Sequence, residues 1–223
     1  MITDPNEIEL LSAIEQQDYR VAEVGRDAFE HIYEDFLSDV KFAGARFLDL
    51  GVGHFDFGEM ARARGANTWA VDYDPAVVAL GRRKRFPVLH ANLEHVTRRD
   101  FDIRFDGVLC KYSCNAFTFA DDLAALRRRP LELLEMMQPS AWAWIAPWNG
   151  RTSFVEHLDA SRIQEVLDCQ IDAFKRAGFL VFELPVPVSA YYGVNGCTEN
   201  RPLFIRNLPV PDRLSQSFDR TTV

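Results

Sequence analysis

Cysteine is scarce in this sequence, and its spacing suits neither cross-links nor metal binding. Of the four cysteines, at positions 110, 114, 169 and 197, no two form a Cys-x-x-Cys pair. Four scattered cysteines are too few for a disulfide framework. The histidines at positions 31, 90 and 95 show no metal-ligand spacing with cysteines or carboxylates. We therefore expect reduced, intracellular thiols and no metal site.

Long apolar runs and an excess of basic charge are also lacking. No apolar stretch approaches the roughly 20 residues that cross a bilayer, and the first residues lack the basic start and apolar run of a signal peptide. Lysine and arginine total 25 against 33 aspartate and glutamate, a net charge of −8. That balance disfavours broad binding to nucleic acid or to an anionic membrane. We expect a cytoplasmic protein with neither as a partner.

Apolar material, by contrast, is sufficient for one continuous core. The 223 residues are 48% hydrophobic, which suits a single domain of ordinary size. Residues 1–42 carry apolar side chains at mostly helical spacing and predict a helical N-terminal extension that can serve as a lid. Residues 45–208 are the predicted core, and residues 209–223 a polar tail.

Within residues 45–208, short apolar runs alternate with longer amphipathic segments, the pattern of βαβ units and a parallel sheet. Strands are predicted at Arg46–Leu50, Thr68–Asp72, Pro87–His90, Phe105–Cys110, Ala141–Ala146, Phe179–Pro185 and Pro202–Leu208. Helices are predicted at Gly58–Arg64, Pro75–Arg85, Ala120–Arg128, Pro130–Gln138 and Ser161–Ala177, the last ending at Gly178. Two helices are expected around Pro130 because proline suits the first turn of a helix better than its interior.

The strongest local signal is the segment FLDLGVGHFDFG at residues 47–58, an apolar strand that runs into a glycine turn and then a helix. Without a Cβ, Gly51 and Gly53 let the backbone turn sharply and approach a ligand closely. Such a turn is also common as a purely structural element. Asp72, however, ends the second predicted strand 21 residues after Gly51, where a carboxylate can bind two ribose hydroxyls. Together these features predict a nucleotide-type ligand.

Four motifs follow one another along the chain: Asp49-x-Gly51-x-Gly53, Val71-Asp72-Tyr73-Asp74-Pro75, His90-Ala91-Asn92-Leu93 and Phe105-Asp106-Gly107-Val108-Leu109-Cys110. In order and spacing the series resembles that of class I S-adenosylmethionine-dependent methyltransferases, over roughly residues 45–208. The resemblance implies a Rossmann-like, doubly wound α/β sheet of about seven strands, mostly parallel, with one antiparallel strand near the C-terminus. It also implies an enzyme with S-adenosylmethionine as its cofactor.

The residues that the resemblance assigns to the cofactor all lie at or after strand ends. They are Asp49 near the amino-acid end of the cofactor, Gly51 and Gly53 beneath it, Asp72 on the ribose, Tyr73 over the adenine, Asn92 and Leu93 at the adenine edge, and Cys110 near the methyl group.

Two positions depart from the usual pattern of this family. A third glycine is common two residues after the second, where this chain has Phe55. We therefore expect the loop around the methionine part either to take a different shape or to be closed by aromatic side chains. The usual Pro-Gly-Gly turn before the fifth strand reads Pro139-Ser140-Ala141 here.

A dinucleotide-binding oxidoreductase is the competing interpretation of the glycine turn. Such a protein usually shows Gly-x-Gly-x-x-Gly, whereas the position three after Gly53 holds Asp56. A carboxylate there is electrostatically poor for a diphosphate. We favour the methyl donor and keep an NAD(P)-binding oxidoreductase as the lesser alternative.

The sulfonium makes its methyl group electrophilic, so the protein mainly aligns donor and acceptor and excludes water. Lys111 and His157 are the candidates for an acid or base, although a lone side chain of either type is commonly just solvated. The Asp/Asn-Pro-Pro-Tyr/Phe motif of nucleic-acid amino methylation is absent after the fourth strand. We expect O- or N-methylation of a small-molecule, sugar or natural-product acceptor. A non-catalytic module that binds S-adenosylmethionine is kept as an alternative function. The sequence does not determine the oligomeric state, and a homodimer is one option.

Overall fold

The computed structural model describes residues 5–16, 29–111, 123–146, 160–183 and 203–206. The strands are β1 (Arg46–Leu50), β2 (Asn67–Asp72), β3 (Val88–His90), β4 (Phe105–Lys111), β5 (Met137–Ala146), β6 (Leu180–Glu183) and β7 (Leu203–Arg206). The helices are α1 (Pro5–Gln16), α2 (Asp56–Ala63), α3 (Pro75–Arg83), α4 (Leu123–Met136) and α5 (Ala160–Arg176). A π-helical turn at Tyr33–Leu37 precedes β1, and 3₁₀ turns occupy Leu93–His95 and Arg98–Asp100.

All seven strands form one sheet in the order β3-β2-β1-β4-β5-β7-β6. Neighbours from β3 to β5 are parallel, whereas β7 runs antiparallel to both β5 and β6. The predicted mostly parallel sheet with one antiparallel strand near the C-terminus is confirmed. The chain winds outward from β1 in both directions, so the strand order reverses between β1 and β4. Sheets of this type bind ligands at the carboxyl ends of the strands beside such a reversal.

Helices cover both faces of the sheet, because successive side chains of each buried strand point to opposite faces. On β1, Leu48 packs in the core beneath α4 and α5, whereas its neighbour Phe47 packs with α2 and the π-helical turn. In α1, Leu11 and Ile14 pack against the glycine turn and α3. The predicted helical extension is therefore observed for residues 5–16 and 29–37, and residues 17–28 lie outside the described part of the chain.

The prediction of two helices around Pro130 is wrong, because α4 runs through this proline without a break. An interior proline removes one hydrogen bond and costs about 3 kcal/mol. Pro130 is itself buried, and Leu133 and Met136 in the next turns are 0% and 4% exposed. Tertiary packing of this face outweighs the local preference of the proline.

The fifth strand also begins earlier than predicted, at Met137 rather than Ala141. Met137 pairs with Phe105, but the next pair along the ladder is Trp142 with Gly107. Extra residues on β5 therefore bulge between these pairs, and Pro139-Ser140-Ala141 forms an irregular stretch of the strand instead of a turn before it. In the described residues no helix combines the length and apolar character needed to cross a bilayer.

Candidate functional site

The glycine turn after β1 has the backbone conformation that its sequence predicts. Gly51 and Gly53 both take left-handed conformations, with φ of 73° and 55°. The Gly51 N–H donates to the carbonyl of Val71 at 2.8 Å, which ties the turn to β2. A Cβ placed on Gly53 would meet no atom within 4 Å. A ligand can therefore approach the backbone of this turn from open space.

Asp72 stands at the end of β2 beside this turn and is only 7% exposed. Its Oδ2 accepts the Gly53 N–H at 3.3 Å, and its Oδ1 accepts the Asp74 N–H at 3.0 Å. A carboxylate offers about four lone-pair positions, so it can accept two further donors such as a pair of hydroxyls. Burial raises the pKa of Asp72, and the backbone N–H groups of Asp74, Gly53 and Tyr73 partly offset that rise.

The start of α3 is capped by a different carboxylate from the one at the end of β2. Asp74 accepts the Ala76 N–H at 2.8 Å and serves as N-cap, with Pro75 in the first turn. Since Asp74 performs the capping, the capping role does not account for Asp72.

The residues predicted to meet the adenine surround the ends of β2 and β3. Tyr73 is 73% exposed, and the His90 Nε2 lies 2.9 Å from the Tyr73 carbonyl oxygen. The side-chain oxygen of Asn92 accepts the Glu94 N–H at 3.1 Å and caps the following 3₁₀ turn. Leu93 begins that turn and is 9% exposed. An aromatic ring, an amide and an apolar side chain thus lie near Asp72.

The residues of β1 and β4 that were predicted to contact the cofactor are less accessible to solvent. Asp49 is 3% exposed and Cys110 is fully buried, the latter within the core beneath α4 and α5. The Cys110 thiol therefore belongs to the core and does not line an open crevice. Lys111 ends β4, at the carboxyl edge of the sheet. His157 lies outside the described residues.

Phe55, which replaces the third glycine, retains a glycine-like backbone with φ of 68°. Its ring is fully buried and stacks on Phe86, with centroids 4.9 Å apart. The ring also fills the space beside Gly81, where a Cβ would lie 2.4 Å from the Phe55 Cζ. The Phe55 ring thus packs under the loop against α3, and this residue does not supply an aromatic closure over the methionine part.

Two features of the site escaped the sequence interpretation, namely the left-handed backbone of Phe55 and the contact of His90 with Tyr73. His90 pairs with Asp72 across β2 and β3. The predicted second and third strands end at these same two residues, and this shared end was the feature of the sequence that could have indicated the contact. In the described part of the chain, Cys110 and Cys169 form no disulfide bond. No three potential metal ligands cluster among these residues.

Solved structures share this architecture over nearly the whole chain. The N-methyltransferase NodS from Bradyrhizobium japonicum WM9, in complex with S-adenosylhomocysteine, matches with a TM-score of 0.55 at 14% identity, over 91% of this chain and 97% of NodS. Magnesium protoporphyrin IX methyltransferase (ChlM) from Synechocystis PCC 6803, with bound S-adenosylmethionine, matches at 0.56 and 11% identity, over 91% of each chain. The fold is that of the class I S-adenosylmethionine-dependent methyltransferases.

A third structure with this methyltransferase fold is CalS10 with bound S-adenosylmethionine, an amino pentose methyltransferase from Micromonospora echinaspora involved in calicheamicin biosynthesis. It matches with a TM-score of 0.54 at 16% identity, over 90% of this chain and 96% of CalS10. No protein-family description matches the sequence, and no curated protein matches it either. The likeness at these identities confirms the resemblance at the level of the fold.

Proposed function

We propose that this chain is an S-adenosylmethionine-dependent methyltransferase that acts on a small-molecule, sugar or natural-product acceptor at oxygen or nitrogen. The observation that carries this proposal is the buried carboxylate of Asp72, which accepts the Gly53 N–H of the glycine turn. This hydrogen bond joins the two parts of a nucleoside site, the ribose acceptor and the close-approach loop. The fold shared with NodS, ChlM and CalS10, each with the methyl donor or its product bound, supports the same cofactor.

The methionine and ribose parts of the cofactor would lie along β1 and β2. Asp72 has the acceptor capacity for both ribose hydroxyls. Gly51 and Gly53 would lie under the cofactor, where the space above Gly53 suits the approach of a ligand. Asp49, buried next to the end of β1, would face the cationic amino group of the methionine part.

The adenine would lie beyond β2, among side chains that suit its faces and its edge. Tyr73 would cover one face of the ring, and an exposed aromatic side chain gains by stacking on a base. The Asn92 amide nitrogen would donate to the adenine edge, since its oxygen already caps the 3₁₀ turn. Leu93 would supply apolar contact.

When bound, the cofactor supplies an electrophilic methyl group, and the protein aligns the acceptor and excludes water. A base is needed only where the acceptor must lose a proton. Lys111 at the end of β4 is one candidate for that role and His157 is the other. We assign the floor beneath the methyl group to the backbone at Cys110, because its thiol is buried.

Acceptor specificity would reside in the N-terminal extension of a single-domain, cytoplasmic enzyme. Leu11 of α1 packs in the same apolar cluster as Val52, which lies between the two glycines of the turn. One turn earlier, Ile8 is 52% exposed and can meet an apolar acceptor. The net charge of −8 argues against a nucleic-acid acceptor.

The first experiment is calorimetric titration of the protein with S-adenosylhomocysteine, with NAD and NADP as comparison ligands. We expect micromolar affinity for S-adenosylhomocysteine alone, since micromolar Kd corresponds to roughly −8 kcal/mol. Asp72→Ala should weaken it at least about tenfold, because hydrogen bonds to a charged group contribute about 1.5–3 kcal/mol each. Asp172→Ala, which removes an exposed carboxylate of α5, is the matched control and should bind normally.

The other outcomes are equally informative about the proposal. Binding of NAD or NADP in place of S-adenosylhomocysteine would favour an oxidoreductase. Binding of S-adenosylmethionine without methyl transfer to any acceptor in a broad amine, alcohol and sugar screen would favour a non-catalytic module. Equal affinity in the Asp72→Ala and Asp172→Ala variants would place the ligand elsewhere.

A further inference from the structure

Tyr73 is the most exposed of the large apolar side chains in the described residues, at 73%, although it directly follows a buried strand and the buried Asp72. An exposed aromatic ring beside a carboxylate that can bind ribose contributes most to binding when a nucleobase stacks on it. Its contribution depends on the ring being held at a fixed place rather than sweeping through solvent. The backbone of Tyr73 is therefore as important as its ring.

Hydrogen bonds hold the backbone on both sides of Tyr73. The Asp72 carbonyl accepts the Ala91 N–H at 3.0 Å, and the Asp72 side chain accepts the Asp74 N–H at 3.0 Å. The Tyr73 carbonyl oxygen itself contacts the imidazole of His90, and the Nε2 atom lies 2.9 Å from that oxygen. A carbonyl oxygen only accepts, so the His90 Nε2 carries the hydrogen in this contact.

We infer that His90 is a positioning residue of the cofactor site, whose Nε2–H holds the Tyr73 carbonyl so that the Tyr73 ring is presented to the adenine. His90 ends β3, the short edge strand of the sheet. Asn92, the proposed contact of the adenine edge, follows two residues later. Together with the Ala91 N–H bond to the Asp72 carbonyl, the His90 hydrogen bond therefore sets the spacing between the group that covers the adenine face and the group that meets its edge.

This inference rests on the proposed function, and its test begins with the same ligand. The Kd for S-adenosylhomocysteine is measured by calorimetry for the wild type, His90→Ala, Tyr73→Ala and the double variant. Tyr73→Ala should weaken binding roughly tenfold, as loss of a base-stacking aromatic does. His90→Ala should weaken it roughly fivefold in the wild type, but by less than about twofold in the Tyr73→Ala background, because its effect passes through that ring.

Rescue and stability measurements separate positioning from a merely structural role. His90→Gln keeps an N–H donor and should bind within about twofold of the wild type, whereas His90→Leu, which has no donor, should behave like His90→Ala. Thermal midpoints of all variants should stay within a few degrees of the wild type, because His90 and Tyr73 are both exposed.

Failure of the inference is distinguishable from failure of the proposed function. If the wild type does not bind S-adenosylhomocysteine, the proposed function fails and the role of His90 fails with it. If the wild type binds while His90→Ala and His90→Leu bind equally well, only the inference is overturned. An equal loss from His90→Ala with and without Tyr73 would also overturn it, because His90 would then act independently of the ring.

Discussion

At the scale of single residues, the Asp72 carboxyl group should affect the stability of the protein and its affinity for the proposed ligand with opposite dependences on pH. Burial raises the pKa of its carboxyl group, so the folded chain binds a proton at a pH where the unfolded chain has lost it. The contribution of Asp72 to stability therefore falls as pH rises from the ordinary aspartate pKa through the raised one. Ribose hydroxyls, in contrast, are best bound by the ionised form.

The affinity for S-adenosylhomocysteine should consequently fall on acidification, at a higher pH than an ordinary aspartate would give. The reason is that protonation of Asp72 replaces an acceptor with a donor. Calorimetric titrations from neutral pH down to about pH 4.5 measure this directly. The Asp72→Asn variant should bind more weakly and show a flatter profile. A profile as steep in this variant as in the wild type would assign the titration to another group.

His54, in the glycine turn, should affect stability with the opposite dependence on pH. Burial lowers its pKa, Asp56 raises it and Lys84 lowers it further. Below about pH 6.5 the unfolded chain gains a proton that the folded chain does not, so stability declines as pH falls. Thermal midpoints from pH 7.5 to about pH 5.5 should decline less for His54→Gln than for the wild type. The exposed His95 serves as control, and His95→Gln should leave the wild-type slope.

Phe55 combines a left-handed backbone with a buried ring, and the two properties predict an unusual order of variants. Removing the ring costs about 3–5 kcal/mol in either Phe55→Ala or Phe55→Gly. Only glycine relieves the strain at φ of 68°, which amounts to about 1 kcal/mol. Phe55→Gly should therefore be the more stable variant in urea unfolding.

The neighbouring Phe57 provides the control for this order. It is equally buried, at 1% exposure, but lies inside α2, where alanine is favoured over glycine by about 1 kcal/mol. Phe57→Ala should therefore be more stable than Phe57→Gly. The same order at both positions would mean that the strain at Phe55 has no energetic effect.

At the scale of elements, α3 and α5 end in the same way with different residues. After α5, Gly178 has φ of 89°, and the Phe179 N–H donates to the Phe174 carbonyl at 3.1 Å. After α3, Arg85 has φ of 61°, and the Phe86 N–H donates to the Gly81 carbonyl at 2.9 Å. Both are Schellman motifs with a buried phenylalanine after the cap.

Arg85→Gly should therefore stabilise the protein by about 1 kcal/mol, because it removes the left-handed strain of a side chain. The Arg85 side chain is exposed, and the backbone carbonyl that accepts from Arg62 remains in the variant. In a chain of this size the thermal midpoint should rise by about 2–4 °C. Gly178→Ala is the reciprocal control and should lower it by a similar amount. A lower midpoint for Arg85→Gly would contradict the argument.

These two helix ends also show where sequence-based prediction succeeds. Gly178 could be predicted as a cap because only glycine takes that conformation without strain. Arg85 could not, because its conformation is imposed by burial of Phe86. The strands and the residues of the glycine turn were predictable for the same reason as Gly178, since their signals are local. The continuous α4 and the early start of β5 are set by packing between distant segments, which no local pattern reports.

At the scale of the whole molecule, an ion pair between a buried arginine and a partly exposed aspartate joins the N-terminal segment to β7. Arg206 of β7 is fully buried and donates to both carboxylate oxygens of Asp39, at 3.2 and 2.8 Å. Its Nη1 also lies 3.4 Å from the carbonyl oxygen of Phe36 in the π-helical turn. Because the partners lie 167 positions apart in the sequence, the sequence alone offered no sign of this contact. It anchors the base of the N-terminal extension.

Breaking this pair from one side should be worse than removing it altogether. Asp39→Ala leaves the Arg206 charge buried without its carboxylate and should lower the free energy of unfolding by about 3 kcal/mol. This value is at the lower end of the range for buried pairs, because the Asp39 side chain is 41% exposed. Arg206→Met keeps apolar volume and leaves the carboxylate near water, so its loss should be smaller. Adding Arg206→Met to Asp39→Ala should recover part of the stability.

Urea unfolding of the three variants measures this asymmetry. Glu59→Ala serves as the control, because it removes the partner of Lys84 from a pair whose side chains are 37% and 28% exposed and should cost less than about 1 kcal/mol. If Asp39→Ala cost no more than Glu59→Ala, Arg206 would have found water or another acceptor, and the anchor would not depend on charge. If the double variant were less stable than Asp39→Ala, packing of the guanidinium against Phe204 would be the main contribution of Arg206.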